Sequence, residues 1–362
     1  MKRNFIYLAA LTLLAVLLVV FTAQRGDSPQ PSTEGDLLLP AIASRINAVD
    51  SVEIVTKGNR TVVRLHRVDD HWLVEEMHDY RADWPKLRSL LADLAQARVI
   101  ETKTDNSSYY ARLGVEDIAA EDAAGKLVKL GIGDQSTAVV VGKSAQGRTG
   151  QYARLQDQAG SVLLDREFNI PDQALDWVDR KIIDINSAEV AEVEVIHPDG
   201  QRVLVTRVSA DQANFELAGI PEGREIKSNW VVNSLASTLS LLEMKSVRPA
   251  AGDIDWSTAV RMRLLTFSGM EIMAEFLKQD DDYLMRLSAA HPAAVVATNK
   301  AENAEAEEST DGNVEQQAMA DVARAVDDIN QRVSGWVYSI ENYKFDAVVK
   351  KPEDLLKPLE DK

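Results

Sequence analysis

The chain contains no cysteine in 362 residues. Thiolate nucleophiles, CxxC redox chemistry, cysteine-held zinc and lipoprotein acylation are excluded together. Histidine is scarce: only His66, His71, His78, His197 and His291 occur. No two of them stand four apart around a glutamate, so zinc-protease chemistry has no support and no metal site is expected. His66 and His71 flank one predicted hairpin turn and read as surface residues, and His197 reads as a turn residue beside Pro198. Positive charge is also short, with 40 Lys and Arg against 57 Asp and Glu, a formal net charge of −17. Nucleic-acid binders need cations to replace the counterions around phosphate, so neither DNA nor RNA is an expected partner. The same balance disfavours a body lying flat on anionic lipid. Long apolar runs are missing as well, with a single exception.

That exception opens the chain. Lys2 and Arg3 precede an uncharged apolar stretch from Phe5 through Leu11, Leu14 and Leu18 to Ala23. At 1.5 Å per residue it reaches about 28 Å, close to the hydrocarbon thickness of a bilayer. A cleaved signal peptide is the rival reading, but its apolar core is shorter, roughly 7–15 residues, and ends in small-x-small. Here the stretch ends Phe21-Thr22-Ala23. The expectation is a single uncleaved span over residues 1–25 in a bacterial inner membrane. The N-terminus stays inside and the bulk of the chain is periplasmic. Residues 26–44, with Gly26, Pro29 and Pro31, read as a stalk.

The body repeats one order of elements. In residues 45–185 the strand Val52–Val55 is followed by a turn at Gly58-Asn59, then Val62–Val68, then Trp72–Val74. In residues 186–358 the series is Glu192–Ile196, a Pro198-Asp199-Gly200 turn, Val203–Val208, then Phe215–Leu217. Valine-rich runs closed by Gly, Asn and Asp signal antiparallel hairpins, and the alternation Glu192–Val195 predicts one wet face. A helix follows each meander. Asp83 caps one with Leu87, Leu90, Leu91 and Leu94 on its stripe; Ser228 caps the other with Val232, Leu235, Leu239 and Leu242. Further strands are predicted over Lys126–Gly133 and Gly150–Leu164, and over Val260–Phe267, Glu271–Leu277 and Tyr283–Leu287. A tryptophan-bearing helix closes each copy, at Ile170–Trp177 and at Val322–Trp336. Between them, residues 291–315 are rich in Ala, Glu and Asn and read as a disordered acidic insertion. The fold class is α+β: an N-terminal transmembrane helix, then two repeated units of antiparallel sheet plus helices.

Searched for chemistry, the sequence offers little. Thr137–Ser144 misses the phosphate-loop pattern because Thr137 replaces its first glycine, and the valines between read as a strand, so no nucleotide or other cofactor is expected. Asp280-Asp281-Asp282 lacks the spaced ligands of a calcium loop and reads as a hairpin turn. No Gly-x-Ser-x-Gly elbow occurs. Trp72, Trp84, Trp177, Trp230, Trp256 and Trp336 read as core markers, with a sugar-binding platform as the sharper alternative. No catalytic residue is assigned.

Several stretches together resemble a bacterial envelope family known as a domain of unknown function (four-three-four-zero). They are Val52-Glu53-Ile54, His71–Val74, Ala82-Asp83, Tyr110-Ala111-Arg112-Leu113-Gly114-Val115, Gly142-Lys143 and Gln151-Tyr152-Ala153-Arg154-Leu155. The resemblance implies an accessory role in ABC-type export or gliding-like systems, beside a permease and an ATPase, and it transfers no catalytic residue. The expected function is therefore a membrane-anchored, non-enzymatic scaffold of a transport system. The alternative is a periplasmic glycan- or peptide-binding module with a concave pocket lined by tryptophans.

Overall fold

The computed structural model describes residues 34–250, 254–291 and 311–358, with side chains from 317 in the last segment. The predicted anchor (Phe5, Leu11, Leu14, Leu18 and Ala23), the stalk as far as residue 33 and residues 292–310 of the insertion lie outside the described residues. No helix among the described residues is long and apolar enough to cross a membrane. The fold is mixed α/β, with large antiparallel sheets and few helices. Two compact units divide it: residues 34–67 with Pro85–Pro171, and Val68–Trp84 with residues 172–358.

The first half of the chain supplies β1 (Ser51–Thr56), β2 (Arg60–Val68), β3 (His71–Val74), β4 (Tyr80–Arg81), helix α1 (Trp84–Gln96) and β5 (Val99–Thr102). It continues with β6 (Lys126–Ile132), β7 (Gln135–Ser144), β8 (Gln151–Leu155) and β9 (Ser161–Leu164). The β3–β4 hairpin is grouped with the second unit. In the first unit the strands run β2-β1-β6-β7-β8-β9-β5, each antiparallel to its neighbour. Helix α1 buries Leu87, Leu90, Leu91 and Leu94, the stripe its 3.6-residue period demands. The strand expected over 150–164 is two strands, β8 and β9, separated by a turn in which Gln158 N–H bonds Leu155 O.

The second half supplies β10 (Lys181–Ile183), β11 (Val190–Ile196), β12 (Arg202–Thr206), β13 (Glu216–Leu217), helix α2 (Asn229–Ala236), β14 (Leu242–Glu243) and β15 (Ser246–Pro249). Then come β16 (Val260–Thr266), β17 (Glu271–Gln279), β18 (Asp282–Ala290), helix α3 (Asp311–Val333), β19 (Trp336–Ser339) and helix α4 (Asn342–Val348). Its sheet runs β13-β12-β11-β16-β17-β18-β19-β15, and β10 pairs separately with β14. From β12 to β15 this order matches β2 to β5 of the first sheet place for place. The likeness reaches the residue level. A 3₁₀ turn precedes β1 (Ile46–Ala48) and β11 (Ser187–Glu189), and an arginine ties each turn down, Arg67 near the end of β2 and Arg207 just past the end of β12. Arg67 bonds Asn47 O with its guanidinium and Asp50 O with its N–H. Arg207 bonds Ser187 O and Ala188 O with its guanidinium and Ala191 O with its N–H.

Five expectations need correction. Helix α2 keeps its Ser228 cap, whose hydroxyl accepts Val231 N–H, but stops at Ala236. The hydroxyls of Ser237 and Thr238 bond back to Asn233 O and Ser234 O, an alternative to the helical ladder; Leu239 and Leu242 remain buried beyond the helix. Trp177 lies in a 3₁₀ turn (Ala174–Trp177) rather than an α-helix, because its carbonyl accepts Asp83 N–H and Val178 bridges to Ala82. Trp336 opens β19 instead of ending α3, since Gly335 at φ +82 turns the chain after Val333. The acidic insertion does not run to residue 315, because α3 already begins at Asp311. In β11 the wet-face pattern is also broken: Glu194 is buried against Arg202, and Ile196 is exposed.

Candidate functional site

Three of the stretches that carry the family resemblance, Tyr110–Val115, Gly142-Lys143 and Gln151–Leu155, meet on one face of the first sheet, whereas His71–Val74 and Ala82-Asp83 belong to the second unit. The connection from β5 to β6 lies there, and its Tyr110, Val115, Ile118 and Ala123 form a small core with Val55, Leu127 and Val140. Arg154, 7% exposed on β8, holds this cover in place. Its Nε donates to Val115 O at 2.9 Å, and Nη1 donates to Gln156 O and Gln158 O at 3.1 Å. Its guanidinium lies 4.9 Å from the centre of the Tyr110 ring. The Tyr110 hydroxyl donates to Ala159 O. Gly142 is required because a Cβ there would strike Leu113 O, and Gly114 at φ +72 ends the single turn Tyr110–Leu113. Lys143 Nζ reaches Ala111 O at 2.8 Å. Gln151 accepts Phe168 N–H and donates to Gly142 O. Every one of these polar groups is directed at the protein's own backbone. The pattern builds a closed surface.

The near phosphate-loop is part of β7, paired on both sides, with no helix behind it. Beside it, Glu53 on β1 meets Lys129 of β6 at 2.9 Å. Burial pushes the Glu53 carboxyl up, but the hydrogen bond and charge of Lys129, with Thr61 and Arg64, outweigh it and hold the pKa below its ordinary value of 4.5.

The second unit presents a different outer face. One row of paired residues crosses four strands: Ile196 on β11, Arg261 on β16, Glu275 on β17 and Arg286 on β18. Glu275 takes Arg261 at 3.3 Å and Arg286 at 2.5 Å. The Arg286 guanidinium lies 4.5 Å from the Trp256 ring centre. Alongside, a depression of about 490 Å³ is lined by Arg261, Met273, Glu275, Arg286, Leu287 and Trp336. Strand β19 pairs with β18 only at Leu284 and Met285, so the sheet is split beyond that point. Asn330 side-chain groups bond both N–H and C=O of Ala289 further along.

The other singled-out residues are dispersed. His197 opens the turn to Gly200, its carbonyl accepting Gly200 N–H, and its ring is buried with Nε2 3.1 Å from Lys350 O. His71 and His78 are exposed. Asp280–Asp282 make the β17–β18 hairpin turn, with Asp280 at φ +54. No group of three His, Asp or Glu suited to a metal occurs among the described residues. The tryptophans are not uniformly core: Trp72 and Trp177 are buried, whereas Trp84 and Trp230 are exposed. Both exposed rings stand in the first turn of a helix, before its apolar stripe begins, and Trp84 stacks on Trp72 at 6.5 Å. Sequence reading missed the roles of Arg154 and Arg207 and the Arg261–Glu275–Arg286 row. Only the alternation of charges along β16 and β17 hinted at the last.

The family described as "Domain of unknown function (DUF4340)" matches residues 72–258, more than half of the chain. No curated protein matches, and no solved structure matches.

Proposed function

The chain belongs to the DUF4340 family, and from that premise we propose that it is a membrane-anchored, non-enzymatic accessory protein of an ABC-type transport system. Residues 1–25 anchor it in the inner membrane, and a stalk follows as far as about residue 33, since Leu38, Leu39 and Ile42 already lie in the core of the first unit. Two copies of one α+β unit project into the periplasm to hold a partner. The observation that carries this reading is the use of the family's polar residues. Arg154, Gln151 and Lys143 all bond backbone groups, which builds a binding scaffold and leaves them no task on a substrate. The matching strand orders of the two sheets support duplication. A binding-module reading draws on a separate observation, the depression beside Trp336. In the transport assembly, that face and the anchor serve the same protein.

Crosslinking in intact membranes, followed by purification in mild detergent, tests the role. The full-length protein should recover a permease and an ATPase, and a chain lacking residues 1–25 should not. Equal recovery of soluble partners or wall material by both chains removes the transport reading.

A further inference from the structure

The two sheets can be aligned row by row from their own hydrogen-bond registers. Five residues after the one whose carbonyl is held by Arg67 N–H (Asp50) comes Val55, and five after the one held by Arg207 N–H (Ala191) comes Ile196. From Val55 the pairing runs to Leu127, Val140 and Arg154. From Ile196 it runs to Arg261, Glu275 and Arg286. The fourth residue of each row is an arginine whose guanidinium faces an aromatic ring of the connection entering β6 or β16: Tyr110 for Arg154, Trp256 for Arg286. Two independent markers therefore give one alignment.

What differs is the cover. In the first sheet the connection from β5 to β6 spans residues 103–125 and lies over the row, contributing Tyr110, Val115 and Ile118. In the second sheet only ten residues, 250–259, separate β15 from β16, and of those described Ile254 and Trp256 pack at the Leu277/Leu284 end. The row itself has changed in step: Leu127 and Val140 are replaced by Arg261 and Glu275. Arg286, unlike buried Arg154, is 43% exposed, and Met273 beside it is 40% exposed. Two guanidiniums share the single carboxylate of Glu275 in a chain whose net charge is −17.

We propose that the outer face of the second sheet, around Arg261, Met273, Arg286 and Trp336, is a docking site for a peptide segment of a partner protein, supplying from outside the cover that residues 103–125 supply to the first sheet. The covered sheet defines the chemistry of that segment. It brings backbone carbonyls to the arginine, as Val115 O does to Arg154, and an apolar side chain to the Met273–Trp336 floor. It also brings a carboxylate to Arg261, which stands where the first sheet has Leu127. The depression has the size of a site for a few side chains, and the split between β18 and β19 leaves room beside Leu287. This site deepens the accessory reading by naming how a partner is held.

The probe is a blocked peptide copying residues 106–120, which carries Tyr110, Val115, Glu116 and Asp117 and no tryptophan. Added to the full-length protein in detergent, it should change tryptophan emission saturably. It should also slow maleimide labelling of Met273→Cys, a clean reporter because the chain has no other cysteine. The double variant Arg261→Glu/Arg286→Glu should weaken binding about tenfold or more, and so should the peptide with Glu116→Gln and Asp117→Asn. Labelling protection in the otherwise unchanged chain keeps the test decisive if the double variant folds poorly. Equal binding of a scrambled peptide, or an emission change without protection at position 273, overturns the site. A protein that recovers the permease yet ignores the peptide loses this site and keeps the accessory role; the reverse result removes only the transport assignment.

Discussion

Arg154 and Arg286 occupy the same place in two sheets and do opposite work. A guanidinium has five donors in a fixed fork and stays charged at any physiological pH. Burying it demands partners for nearly all of them, and in the first sheet Val115 O, Gln156 O and Gln158 O provide these. Arg154→Met keeps the apolar stem and the length but strands three carbonyls beneath the cover. Charge-assisted hydrogen bonds are worth about 1.5–3 kcal/mol each, and unsatisfied buried acceptors cost about 1–3 kcal/mol, so a loss of about 3–4 kcal/mol is expected once water reaches some of them. Hydrogen exchange locates the damage: amides of residues 106–123 and of β8 should lose protection, while those of β16 to β18 should not. Uniform loss across both units would show that Arg154 supports more than its own cover. The converse substitution, Arg286→Met, strands no carbonyl and should cost less than about 1 kcal/mol.

Between strands, the pairing of Glu53 with Lys129 sets a pH dependence for the first sheet. The folded carboxyl titrates below its ordinary value of 4.5, so the unfolded chain takes up the proton first as pH falls. The contribution is complete above pH 4.5 and decays as pH drops through the lower, folded value. Glu53→Gln should therefore flatten the acid limb of a stability–pH curve and leave the neutral region changed by about 1 kcal/mol, since the pair is only partly exposed and Lys129 keeps access to water. An unaltered acid limb would mean that the shift comes from other carboxylates. At this scale the sequence was most legible. The valine runs of β1, β2, β11 and β12 and the leucine stripe of α1 declare their period within a few residues. Legibility failed where the deciding partner is remote. Trp177 stays out of a helix because of Asp83, α2 ends early with Lys344 on the carbonyls of Ser237 and Ser240, and Glu194 is buried by virtue of Arg202. The docking row was illegible for the same reason, since Ile196, Arg261, Glu275 and Arg286 become neighbours only through three strand registers.

For the molecule as a whole, a net charge of −17 surrounds one small site with an excess of guanidinium. An acidic ligand approaching from solution meets repulsion first, because the field of the whole chain outreaches that of two arginines. The Debye length is about 30 Å at 0.01 M salt and about 8 Å at 0.15 M, so added salt removes the long-range repulsion before it touches contacts at hydrogen-bond distance. Association of the 106–120 peptide should therefore speed up as salt rises over that range, while dissociation changes little. This is the reverse of electrostatic steering, in which salt slows association. Stopped-flow tryptophan emission at a series of salt concentrations separates the two. A rate that falls with salt would mean that the arginine pair dominates the local field, and the partner segment would then be recruited by attraction at a distance. A rate that rises would mean that the partner must be brought close by something else, and a shared membrane anchor holding both proteins in one assembly provides that proximity.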